Sequence, residues 1–112
     1  MAKLAKAAQT VGASTDVTKL YPEAGQCVPF ARAITGIQIS GAAISNKPNT
    51  STPRAGDIII TKESSVGHAA AIKAINGNKL VLLERNYFSG FVSTRVIPMN
   101  FSKIVGFITK NS

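Results

Sequence analysis

The chain of 112 residues predicts an α+β domain, a helix followed by an antiparallel sheet of four to five strands. Three observations carry this expectation. A helical stretch opens at Cys27 and meets a stop at Gly36. Strand-like stretches rich in Ile, Val and Leu fill the second half. Between two of them stands Asn76-Gly77-Asn78, a tight-hairpin signal, because Asn and Gly tolerate positive φ.

Taken in order, residues 1–20 are Ala/Lys-rich with weak helical periodicity, an N-terminal segment that is helical or flexible. Tyr21-Pro22-Glu23-Ala24-Gly25 is turn chemistry. A helix is predicted over Cys27–Thr35, with Val28, Ala31 and Ile34, or Phe30 and Ile34, on one face. Pro29 is acceptable only in a first turn, where its missing N–H has no partner to lose, and this places Cys27 at the helix N-terminus. Residues 40–55, rich in Ser, Asn, Thr and Pro, predict a loop. Strands are predicted at Asp57–Thr61, His68–Ile75, Lys79–Glu84, Phe91–Ile97 and Ile104–Thr109. The length allows one domain, residues 1–112, with no linker and no repeat.

Composition narrows the class. An apolar content of 45% against 16% charged residues reads as globular rather than disordered. One cysteine excludes an internal disulfide framework and a multi-cysteine zinc site. No apolar run reaches the length of a membrane span, so membrane insertion is not expected. The N-terminal stretch has no strongly apolar core of the kind a secretory signal needs. A net charge of +8 suits a polyanionic environment. The basic residues are scattered from Lys3 to Lys110 without a run and without interleaved aromatics, so nucleic acid is not the expected partner.

The chemistry available is small in number. Cys27 is the only thiol, and a helix N-terminus favours its thiolate. His68 is the only imidazole, standing after Gly67 at a strand start. Each has a bland alternative: a small buried hydrophobe for Cys27, a structural or surface residue for His68. Glu84 ends an apolar run, Leu80–Leu83, where an unpaired carboxylate would be costly. By strand alternation it shares a face with Leu80, Leu82 and Asn86. Either Glu84 or Asn86 could orient His68, and a salt bridge from Glu84 to Arg85 or Arg95 is an equal alternative. For Asp57, after Gly56, a turn-stabilising role is the natural expectation.

Four stretches, GQCVPFA, PRAGDIII, VGHAAAI and LLERN, occur in an order and at separations that resemble the CHAP domain, the cysteine, histidine-dependent amidohydrolase/peptidase family of papain-like fold. The resemblance implies a minimal papain-like domain with N-terminal helices packed on an antiparallel sheet of four to six strands. It implies Cys27 as nucleophile, His68 as general base and acid, Glu84 as its orienting partner and Asn86 as a further polar partner. Gln26 would shape the site or its oxyanion pocket, and Asp57 would be structural. Pro29 stands where the family usually carries a bulky residue. The chain has no tryptophan for the groove, a place that Tyr87, Phe88 and Phe91 could take. The acidic calcium-binding loop of some members has no counterpart, so no metal and no cofactor are expected. The short loop between Gly36 and Pro53 implies an open groove.

The function so implied is hydrolysis of an amide bond in bacterial peptidoglycan, either at the muramoyl–L-alanine linkage or within the stem and cross-bridge peptides. The expected setting is the bacterial cell wall, reached by a phage-type lysin or a wall hydrolase acting as a monomer. The competing class is a non-catalytic basic module for wall polymer or nucleic acid.

Overall fold

The computed structural model describes residues 27–88 and 91–110, with side chains for 27–84 and 92–110. The predicted N-terminal segment lies outside the described residues, as does Gln26. The one α-helix among the described residues, α1, is Cys27–Thr35, with the predicted bounds. Phe30, Ala31 and Ile34 are fully buried, and Val28 and Thr35 nearly so. A helix of nine residues has little stability of its own. Burying Phe30 and Ile34 contributes about 1.5–3 kcal/mol each, and that docking is what holds α1. Its end is capped twice. Thr35 Oγ1 donates to the Ala31 carbonyl and accepts from the Ile37 amide, and Gly36, at φ 75°, turns the chain while its N–H reaches the Arg32 carbonyl at 2.8 Å.

The sheet is fully antiparallel. Its strands are β1 (Ile58–Thr61), β2 (His68–Asn76), β3 (Lys79–Phe88), β4 (Phe91–Pro98) and β5 (Ile104–Ile108), in the order β4-β3-β2-β1-β5. The predicted hairpin is present: Asn76 pairs with Lys79 around Gly77-Asn78, and Gly77 has φ 61°. Strand alternation sorts the core into two sides. Ala69, Ala71, Ile58, Ile60 and Leu83 pack with α1 and the residues that follow it. Ile59, Ala70, Ile72, Leu80, Leu82 and Ile97 pack on the other side under Met99, Phe101 and Phe107. Three successive alanines in β2, Ala69–Ala71, are all fully buried.

Two expectations are corrected. β3 does not end at Glu84 but continues to Phe88, which pairs with Phe91, so Glu84 lies inside a strand. The strand tolerates this because partners meet the carboxylate there, as described below. The predicted loop 40–55 contains a 3₁₀ turn, Ala43–Ser45, and Thr50 bridges to Phe107. The Asn46 side chain supports this turn by bonding the Ser40 and Ala42 carbonyls. Asp57 precedes β1 and accepts the Arg54 amide at 2.8 Å, the turn-stabilising role expected of it.

The 3₁₀ turn is clamped to the β1–β2 connection. The Ile44 amide donates to the Val66 carbonyl at 2.9 Å. Gly67, at φ 77°, allows the approach, because a Cβ at that position would stand 2.9 Å from the Ile44 nitrogen. The next residue is His68, paired with Thr61 where β1 ends. Gly67 thus permits both the reversal that begins β2 and the wall opposite the start of α1.

Candidate active site

Cys27 is the first residue of α1, half-buried against Val28 and Ala31 and the core they belong to. Burial pushes its thiol up. A hydrogen bond to His68, the Ala69 and Val28 amides and the charge on His68 more than offset this, and the thiol lies below its ordinary value of 9.0. The helix N-terminus acts in the same direction. These contacts favour the thiolate form of Cys27, which lines a cleft of about 580 Å³. The first turn of α1, the segment 41–43 and the segment 63–68 form the walls of that cleft, with His68 among them.

His68 holds both ends of its ring. Nε2 lies 2.8 Å from Glu84 Oε1, which leaves Nδ1 for Cys27. Burial pulls the imidazole down, but the hydrogen bonds to Cys27 and Glu84 and their negative charges outweigh it, and its pKa is raised to about 9. The two shifts are coupled and run in the same sense: each group favours the charged form of the other.

Glu84 is fully buried, and its charge is met twice. Besides His68 it accepts from Arg95, Nε to Oε2 at 2.8 Å and Nη2 to Oε1 at 3.1 Å. Arg95 also grips Glu63, Nη1 to Oε1 at 2.7 Å and Nη2 to Oε2 at 2.9 Å. Glu63 in turn accepts from Thr61 Oγ1 at 2.8 Å. These bonds to Arg95, led by the direct hydrogen bonds, hold the Glu63 carboxyl below its usual range despite partial burial. Glu84 thus contacts His68 and pairs with Arg95 at once.

Of the residues expected at the site, Cys27, His68 and Glu84 come together. Gln26 lies outside the described residues, and Asn86, Tyr87 and Phe88 fall on the last part of β3, beyond the described side chains. Sequence reasoning missed Glu63 and Thr61. Glu63 reads as a loop charge, and only the pairing of Thr61 with His68 reveals that this loop starts beside the imidazole. Among the described residues, no three His, Cys, Asp or Glu side chains stand close enough to hold a metal ion, and no helix is long and apolar enough to cross a membrane.

A family model described as the CHAP domain matches residues 16–86. No curated protein matches the chain. Among solved structures, the chain is similar to the crystal structure of Ly7917, at 24% identity over 76% of this chain and 53% of that one, with a TM-score of 0.55. It is also similar to the crystal structure of Ly7917 with the hydrolyzing product of MDP, at 22% identity over 74% and 52%, with a TM-score of 0.54. At these identities the likeness is one of fold. The chain spans about half the length of these two structures.

Proposed function

The chain belongs to the CHAP domain family, a family of cell-wall amidohydrolases and peptidases, and on that premise we propose that it cleaves an amide bond of peptidoglycan by a thiol mechanism. The observation that carries the reading is the Cys27–His68–Glu84 constellation opening on a cleft. A non-catalytic basic module has no use for a thiol held against a carboxylate-bound imidazole at the wall of a cleft.

In the proposed reaction Cys27 Sγ attacks the amide carbonyl and forms a C–S bond. The carbonyl π pair moves onto oxygen, where amides at the start of α1 stabilise it, with Gln26 as a further donor. Collapse expels the nitrogen, which takes its proton from His68 and leaves as an amine. Water then attacks the thioester and gives one proton to His68; the C–S bond breaks, the sulfur takes that proton back, and the product leaves as a carboxylic acid that ionises in solvent. Glu84 holds the Nε2–H throughout, so that Nδ1 faces the reacting atoms. Tyr87 and Phe88 are proposed to contact the substrate, and Asn86 to assist the orientation of His68.

Residues 1–112 are proposed to form one catalytic domain that acts as a monomer at the bacterial cell wall, with no metal or other cofactor. Ly7917, solved with the hydrolyzing product of MDP, supports a hydrolytic reading. The experiment is mass spectrometry of purified peptidoglycan after digestion. The expected products carry one new amino group and one new carboxyl group for each bond cut, and intact peptidoglycan after prolonged digestion would overturn the reading.

A further inference from the structure

We propose that Arg95 is a positioning residue for this site: its guanidinium fixes the Glu84 oxygen that faces His68 and ties that carboxylate to Glu63 at the wall of the cleft. The inference rests on the thiol reading given above. Glu84 has no exposure, and a buried carboxylate is tolerated when its oxygens are satisfied. His68 supplies one contact at Oε1, whereas Arg95 reaches both oxygens. A carboxylate held through both oxygens cannot rotate without breaking a bond to Arg95, so β4 sets its orientation before His68 uses it. Ser93 is no substitute. It stands directly opposite Glu84 in the β3–β4 register, yet its buried hydroxyl makes no hydrogen bond among the described residues.

The same guanidinium closes a ring through the sheet. Arg95 pairs with Leu82 and therefore projects on the face that carries Glu84. Its remaining reach goes to Glu63, Glu63 is held by Thr61, and Thr61 pairs with His68 across β1 and β2. The imidazole is thus fixed from its side chain and from its backbone neighbour by one arginine. The planar fork matters. A lysine ammonium is a point charge and cannot present parallel donors to two carboxylates.

The test is the rate at which iodoacetamide alkylates Cys27 in folded protein, a readout that needs no substrate. Arg95→Met and Glu84→Gln should each slow alkylation at pH 7 severalfold, because a thiol shifted upward leaves less thiolate to react at that pH. The double variant, from which both charges are gone, should be no slower than the slower single variant. Arg95→Lys should recover part of the rate. In turnover, Arg95→Met should lower kcat and leave KM near the wild-type value, since Arg95 does not line the cleft. Wild-type alkylation by folded Arg95→Met, or single effects that multiply in the double variant, would overturn the proposal. If Arg95→Met fails to fold, comparing the double variant with Glu84→Gln decides the same point. Peptidoglycan cleavage by the wild type is scored separately, so a protein that alkylates as expected but leaves peptidoglycan intact removes the substrate reading and upholds Arg95.

Discussion

His68 Nε2 and Glu84 Oε1 meet at 2.8 Å inside the protein, the carboxylate fully buried and the imidazole 8% exposed. The contact fixes which ring nitrogen is free for Cys27, and it puts a negative charge where an imidazolium must form. Glu84→Gln keeps an acceptor near Nε2 and removes that charge. The pKa of His68, raised to about 9, should therefore fall in the variant, and the alkaline limb of kcat against pH should move to lower pH. Turnover at pH 7 should drop by about a hundredfold, the lower end of general acid–base contributions. A limb that stays in place would place the source of the raised value elsewhere.

Cys27 and His68 depend on each other in the opposite sense. In the wild type the alkylation rate should have its midpoint at a pH below the ordinary thiol value of 9.0, because His68 and two backbone amides outweigh burial. In His68→Ala burial is opposed only by the amides, so the midpoint should move up. Stopped-flow alkylation across pH 5 to about 10 measures both midpoints, with the thiolate as the reacting species. Equal midpoints would mean that the imidazole does not activate the thiol.

Much of this was legible in the sequence, and the exceptions share a physical cause. Local rules locate α1 to the residue: Pro29 can occupy only a first turn, and Gly36 supplies the positive φ that ends it. The hairpin at Gly77 follows from the same kind of rule. Glu84 stands out in the sequence because a carboxylate after an apolar run needs a partner. The end of β3 is not legible because a charge reads as a strand boundary when its partners are distant in the chain. Arg95 is 11 residues from Glu84 and 32 from Glu63, and only the sheet brings the three together. Thr61 and Glu63 carry no local signal for the same reason.

Gly67→Ala tests the wall of the cleft. The added Cβ meets the Ile44 nitrogen at 2.9 Å, and the residue must keep φ 77°. The conformational term alone costs about 1–2 kcal/mol for a residue with a Cβ. Thermal unfolding should show that loss or more. Turnover should fall as well, because the strained turn leads directly into His68. An unchanged melting temperature together with unchanged turnover would mean that this approach of 3₁₀ turn and β1–β2 connection does not shape the site.

The charge of +8 should matter for walls and not for small substrates. Diffuse attraction to an anionic wall weakens as the screening length falls to about 8 Å near physiological salt, whereas contacts within the cleft are short-ranged. Wall lysis should therefore fall along a salt series while cleavage of a soluble muropeptide stays nearly constant. Lys79 and Lys110 are exposed, the first at the hairpin end of β3 and the second beyond β5. Their replacement by Gln should mimic high salt on walls only. Parallel curves for the two substrates would remove wall targeting as the role of the charge.

The central claim is that the thiolate of Cys27 cleaves peptidoglycan, and Cys27→Ala examines it with the smallest change. Replacing the thiol by a methyl group at a half-buried helix start should cost little packing, so the variant should retain the wild-type circular dichroism spectrum and a similar melting temperature. The decisive measurement is the release of new amino groups from purified peptidoglycan by equal amounts of folded wild type and Cys27→Ala. The wild type should release them steadily and the variant none above the buffer rate; equal release by the two proteins would contradict the account.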